Sequence, residues 1–171
     1  SNNMVNLHEI ELIDILSKLP DIEALDVNHD LSGKENDLFF CALGFEERCP
    51  WIPELIRDLG SYKAKQAIYF EYATNTADND LNRLRLITAL QQSSTSVRPM
   101  QCDEEDFPVR LRELMQQVCN SGRTPSVAFD ISACSSKLLL LALKVFFEFS
   151  LNLRILYSEA AVYHPTPEEY N

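Results

Sequence analysis

Short apolar segments typical of strands alternate with helical patterns along this chain of 171 residues. Apolar runs of about four to eight residues indicate strands buried on both faces, whereas apolar residues spaced three and four apart indicate helices. Parallel strands need long crossover connections, so the alternation predicts an α/β fold with a mainly parallel sheet. The five predicted strands are residues 37–43, 66–72, 96–102, 125–131 and 153–159.

Helical patterns connect these strands, and one more precedes them. The first interior helix places Leu55 and Leu59 at helical spacing and ends at Gly60, a residue common just after helices. The last one, predicted over 135–150, is apolar almost all round, so it must be covered on more than its sheet side, by the N-terminal helix or by a second copy in a homodimer. The apolar positions of the N-terminal helix and of the other two interior helices are Leu7, Ile10, Ile13 and Leu16; Leu81, Leu84, Ile87 and Leu90 on one face; and Phe107, Leu111, Leu114, Met115 and Val118.

These elements predict a three-layer Rossmann-like α/β domain. Its sheet is expected to have the strand order 3-2-1-4-5, with Pro99 favouring an edge position for the third strand. The sequence predicts a tag remnant (1–3), an N-terminal helix with its connector (4–36), the Rossmann-like domain (37–160) and a C-terminal tail (161–171).

The formal net charge of −11 argues against extended contact with nucleic acid or an anionic membrane, because neutralising phosphates requires a basic face. No export signal is visible, and the most apolar run, 138–149, is too short to cross a bilayer. Five cysteines without CxxC spacing and three histidines give no disulfide framework, metal centre or cofactor site. We therefore expect a cytoplasmic protein.

Ligands of open parallel sheets bind beyond the carboxyl ends of the strands, where the strand order reverses. In the predicted order, the loops that leave strands one and four meet at this point. These loops are 44–51, which reads GFEERCPW, and 130–137, which reads DISACSSK. Both are rich in polar and charged side chains, so the sequence predicts a site where they adjoin.

In the first loop, Gly44 permits a tight turn near a ligand, and Arg48 can clamp a phosphate. Glu46 and Glu47 can accept hydroxyl hydrogens or act in acid–base catalysis. The alternative is that Glu46, Glu47 and Arg48 are solvated residues of a first helical turn. Cys49 has no histidine placed to activate it, so a nucleophilic role is not favoured.

In the second loop, hydroxyl groups and free backbone N–H groups form an anion site beside the positive charge of Lys137. Asp130 can bind a ribose hydroxyl or orient Lys137, and Ser135 is a third catalytic candidate. The alternative is a helix N-cap preceded by an aspartate turn. The ligand-binding set also includes Ser132 and Ser136 from this loop and, from the segment after strand five, Glu159 and Tyr163.

The segment DISACSSK resembles one found after the fourth strand of CARF-type domains, the Rossmann-fold sensors of cyclic oligoadenylates in prokaryotic antiviral systems. Those domains commonly carry an aspartate, hydroxyl residues and a lysine in the pattern D-[IL]-T-G-G-T-K. This sequence has residues of the same types in the same order: Asp130, Ser132, Ser135 or Ser136, and Lys137. Ala133 and Cys134 replace the paired glycines. The resemblance covers about 37–159 and implies a nucleotide-sensing function.

Three functions are therefore compared. The first is binding of a small nucleotide or phosphorylated ligand by a stand-alone domain, as in a CARF-like sensor. The second is a small hydrolase or transferase, for example a ring-nuclease-like enzyme, acting in the same cleft. The third is a non-catalytic subunit that docks onto a larger assembly.

Overall fold

The computed structural model describes residues 7–17, 30–44, 46–73 and 79–158. Strands and helices alternate in them as the sequence pattern predicts. Their bounds differ from the predicted ones by a few residues at most ends, and the last helix stops four residues early because 147–149 form turns. In chain order the elements are α1 (Leu7–Leu16), β1 (Glu35–Ala42), α2 (Trp51–Leu59), β2 (Lys63–Glu71), α3 (Asp80–Ser93), β3 (Ser94–Gln101), α4 (Phe107–Cys119), β4 (Ser126–Asp130), α5 (Ser136–Phe146) and β5 (Asn152–Leu156).

The five strands form one parallel sheet in the order β3-β2-β1-β4-β5, which confirms the predicted Rossmann-like topology. β3 lies at an edge, where the missing N–H of Pro99 is tolerated. β1 lies at the centre, and every residue from Asp37 to Ala42 is buried. The central strand is therefore covered on both faces, as its continuous apolar sequence predicts.

Helices cover both faces of the sheet and complete three layers. One core combines α1, α4 and α5 with sheet residues such as Phe40, Phe70 and Phe129. The other combines α2 and α3 with Phe39 and Tyr69 on the opposite face. Gly60, which follows α2, adopts φ 73°, in the left-handed region that glycine tolerates best, and so ends the helix as predicted.

The apolar helix α5 is packed between the sheet and α1. Seven of its residues are buried, and α1 contributes Ile15 to the same core. An ion pair of 2.7 Å joins Lys144 of α5 to Glu11 of α1. The N-terminal helix thus supplies the cover that the composition of α5 requires.

The prediction for α3 is wrong for two residues of its apolar face. Leu81 and Leu84 are 67% and 66% exposed. The buried side of the helix includes Asn82, Leu86 and Leu90 instead. Leucines lie on several sides of this helix, so spacing alone did not show which side faces the sheet.

In the described ranges, no helix is long and apolar enough to cross a membrane. The predicted tag remnant, most of the connector (18–29) and the tail (161–171) lie outside the residues that the structure describes.

Candidate functional site

The loops after β1 and β4 are in direct contact at the carboxyl edge of the sheet. A Cβ atom added to Gly44 would lie 3.4 Å from the Cβ of Ala133, so there is little space between the two loops at this point. The φ of Gly44 is not positive; among the described glycines only Gly33, Gly60 and Gly122 have a positive φ. Gly44 therefore serves close packing of the loops and not a left-handed turn.

Arg48 connects the first loop to the residue that follows β5. Its side chain is 18% exposed, and its Nε forms an ion pair of 2.6 Å with Glu46. Its Nη1 donates to the Tyr157 hydroxyl at 3.5 Å. Glu47, by contrast, is exposed. The guanidinium is thus held at the sheet edge, and Glu46 and Glu47 are placed differently although they are neighbours in sequence.

Asp130 and Ser132 form a buried turn at the end of β4. Asp130 is 2% exposed, and its Oδ1 accepts hydrogen bonds from the Ser132 amide at 3.0 Å and the Ser132 hydroxyl at 2.6 Å. The Ser132 Oγ in turn accepts the Ser158 amide at 2.9 Å, which ties the β4 loop to the segment after β5. This geometry gives both residues a structural task, because neither faces solvent.

Burial raises the pKa of the Asp130 carboxyl to about 6, although the hydrogen bonds from Ser132 and the charge of Arg48 act in the opposite direction. Removing a carboxylate from water disfavours its charged form, and this effect is the largest of the three. Asp130 is therefore a buried acid whose proton affinity depends on the site around it.

Ser135 is the N-cap of α5, and Ser136 and Lys137 begin the helix. The Ser135 Oγ accepts the Leu138 amide at 3.1 Å and is hydrogen-bonded to the Tyr72 hydroxyl at 3.0 Å. Ser136 and Lys137 are exposed. As the first two helical residues they have no acceptor in a preceding turn, so their N–H groups remain at the sheet edge.

The thiols near the site are weakly acidic. The Cys49 thiol donates to the Ala42 carbonyl at 3.3 Å and accepts from the Gly44 amide at 3.4 Å. Burial raises the pKa of Cys49 to about 11 and that of Cys134 well above its usual range. Because the thiolate is the reactive form, neither cysteine has the character of a nucleophile.

Asn82 of α3, which the sequence did not indicate, holds the first loop in place. Its Nδ2 donates to the Gly44 carbonyl at 2.8 Å and the Glu46 carbonyl at 2.9 Å, and the residue is buried. The sequence did not indicate Tyr72 or Tyr157 as residues of the site either. Their only local signal was their position at the end of a strand-like segment, and their partners lie far away in sequence.

Replacing Asn82 by alanine should lower the free energy of unfolding by about 1–3 kcal/mol, because two partly buried carbonyl groups lose their donor. The measurement is urea denaturation followed by circular dichroism. Gln91→Ala is the control, since Gln91 is exposed on the same helix. Equal losses for the two variants would contradict the role assigned to Asn82.

Glu159 and Tyr163, both predicted ligand contacts, lie outside the described residues. Within the described ranges, no group of three or more His, Cys, Asp or Glu side chains is arranged to hold a metal ion. Two shallow clefts, of about 500 and 390 Å³, are found at the opposite, amino-terminal edge of the sheet.

The fold and the loop contacts define an α/β domain of the Rossmann-like class, with a polar candidate site at its strand-order reversal. No protein-family model matches the chain, and a search of curated proteins finds no match.

Proposed function

We propose that this protein binds a small anionic ligand, such as a nucleotide or another phosphorylated metabolite, at the carboxyl ends of β1 and β4. One observation carries the proposal: the loops that hold Arg48 and Lys137 pack against each other where the strand order reverses. This position is the usual ligand crevice of open parallel sheets.

Each proposed contact follows from the chemistry of the side chain. Arg48 presents a planar fork of N–H donors suited to phosphate oxygens, and a bound phosphate would compete with Glu46 for it. Lys137 adds a mobile charge at the start of α5. The N–H groups of Ser136 and Lys137 can donate to the same anion, which the positive end of the helix favours.

Ligand binding is a better-supported proposal than hydrolysis. The Ser135 hydroxyl is engaged by the Leu138 amide and by Tyr72, and Cys49 has a raised pKa. The Glu46 carboxylate is already engaged by Arg48 in an ion pair of 2.6 Å, so a catalytic role would require it to leave that partner. A sensing role in antiviral defence belongs to the same proposal through the CARF-type resemblance of 130–137. Cytoplasmic location is proposed from the cysteine spacing, and a homodimer from the apolar composition of α5.

Lys137→Ala should remove most of the ligand-induced rise in melting temperature while leaving the melting temperature of the free protein nearly unchanged. Lys137 is exposed, so its loss affects ligand binding more than folding. The measurement is thermal unfolding with a panel of mono- and dinucleotides, cyclic oligoadenylates and pyrophosphate. A ligand at about one hundred times its Kd should raise the wild-type melting temperature by roughly 5–10 °C.

Lys144→Ala provides the matched control, because Lys144 lies further along the same helix and pairs with Glu11 of α1. Arg48→Lys keeps the charge but loses the bidentate fork, so it should weaken phosphate ligands selectively. Ligand-induced shifts that survive in both Lys137→Ala and Arg48→Lys would show that the ligand binds elsewhere. Product formed on long incubation would instead support the hydrolase.

A further inference from the structure

Five exposed cations gather at the amino-terminal edge of the sheet, opposite the candidate site. We call them the amino-end basic surface: Lys34, Lys63, Lys65, Arg123 and Arg154. The Lys63 amide donates to the Lys34 carbonyl at 3.0 Å, so these two residues are neighbours. Lys34 and Arg154 line the same cleft of about 500 Å³. This surface stands out because the whole chain carries a net charge of −11.

Asp37 organises one part of this surface. Its Oδ1 lies 2.6 Å from Nη2 of Arg123 and 3.3 Å from Nζ of Lys65, so two cations share one buried carboxylate. The two cationic side chains are still 62% and 55% exposed. Because one negative charge faces two positive ones, this group keeps an excess positive charge that solvent and partners can reach.

Among the residues that the structure describes, no carboxylate forms an ion pair with Lys34, Lys63 or Arg154. Lys63 donates to the Gln92 carbonyl, and Arg154 to the Asp30 carbonyl. These contacts position the side chains without cancelling their charge.

The surface is concave and partly apolar. The larger cleft places Leu31, Leu151 and Leu153 beside Lys34 and Arg154. A second cleft of about 390 Å³ is lined by Lys63 and Lys65, and Glu35 borders both clefts. A partner that fits both clefts therefore needs negative charges for the cations and an apolar side chain for the leucines of the larger cleft.

We propose that the amino-end basic surface binds a short acidic segment of a polypeptide that also carries an apolar side chain. The surface spans the starts of β2, β1, β4 and β5, a width of about 15 Å at roughly 4.8 Å between strands. An extended peptide of four or five residues has about this length. Charge complementarity would speed the encounter, and the leucine-lined cleft would add affinity.

The charge distribution favours a peptide over nucleic acid. Beyond this surface the molecule is acidic; for example, the four consecutive residues Asp103–Asp106 are exposed at the opposite edge of the sheet. A long polyanion would be repelled once it extended past the five cations, whereas a short acidic segment stays within them. The site is separate from the phosphate site proposed above and does not depend on it.

The test is fluorescence anisotropy with a short fluorescein-labelled peptide of alternating glutamate and leucine. We expect saturable binding to the wild-type protein that weakens as NaCl is raised from about 50 to 300 mM. Lys34→Glu and Arg154→Glu should each weaken it about fivefold or more, because a repulsive charge replaces an attractive one. Arg98→Glu is the matched control: it changes net charge equally, on an exposed residue of the edge strand β3 that lines neither cleft.

Circular dichroism should show that each variant is folded, because Lys34, Arg154 and Arg98 are exposed. Three results would overturn the proposal. The first is no saturable peptide binding to the wild-type protein, and the second is equal weakening by Arg98→Glu and Lys34→Glu. The third is tighter binding of a short single-stranded DNA, or of pyrophosphate, than of the peptide, which would identify a phosphate-binding surface instead.

Discussion

Replacing Phe70 by alanine should lower the free energy of unfolding by about 3–5 kcal/mol. Phe70 is fully buried on β2, which is hydrogen-bonded to strands on both sides. Its ring is stacked on Phe40 at a centroid distance of 5.5 Å and meets Phe107 at 5.2 Å and Phe129 at 6.0 Å. Alanine would leave a cavity among rings that belong to three other elements and cannot collapse together to fill it.

Equilibrium denaturation in urea would measure this loss, with the slope of the transition checked for two-state behaviour. Phe147→Ala is the control, because it is the same substitution at a residue outside the core. Phe147 is 43% exposed at the end of α5. It should cost less than about 1 kcal/mol. Equal losses of stability in the two variants would contradict the central role assigned to Phe70 and the rings of Phe40, Phe107 and Phe129 around it.

The apolar sequence of the central strand explains why the fold could be predicted. A buried parallel strand must be apolar on both faces, and 38–42 satisfies that condition without a polar interruption. Pro99 correctly indicated an edge strand, since a central strand would need its missing N–H. These signals are local and strong, and right-handed crossovers leave few possible strand orders.

Which face of α3 packs against the sheet could not be predicted in this way. Leu81 and Leu84 gave the periodicity expected of a buried face, yet they are exposed, and Asn82 is buried beside them. Asn82 is stable there only because the Gly44 and Glu46 carbonyls accept its side-chain N–H groups. That compensation comes from a loop almost forty positions away, so no pattern within the helix reveals it.

The candidate site, too, could be predicted only in part. The adjacency of the two loops followed from topology, because parallel strands end at one edge. Which residues of DISACSSK are buried could not be predicted from topology. Asp130 and Ser132 are buried, whereas Ser136 and Lys137 are exposed. Burial of a polar residue depends on its partners, and Ser158 and Tyr72 reach this loop only in the folded chain.

Asp130→Asn should stabilise the protein above pH 7 by up to roughly 3 kcal/mol and have little effect near pH 4. The Asp130 pKa is about 6 in the folded protein, compared with the ordinary value of 3.8, so the folded state binds the proton more tightly than the unfolded chain. Stability from this group is therefore complete below pH 3.8 and is lost as pH rises through 6. Asparagine cannot ionise but keeps an oxygen that accepts both Ser132 hydrogen bonds.

The difference in unfolding free energy between the wild type and the Asn variant isolates Asp130, because every other titrating group occurs in both proteins. Asp37 is one such group: its interactions with Ser126, Arg123 and Lys65 lower its pKa despite burial, so its contribution is lost as pH falls. Urea denaturation from pH 4 to 8 should give a difference that grows between pH 4 and 6 and is constant above 7. Asp130→Ala should be less stable than Asp130→Asn at every pH, because Ser132 loses its acceptor. A difference for Asp130→Asn that does not change with pH would mean that the carboxylate keeps its ordinary acidity, and that Arg48 and the Ser132 hydrogen bonds compensate its burial.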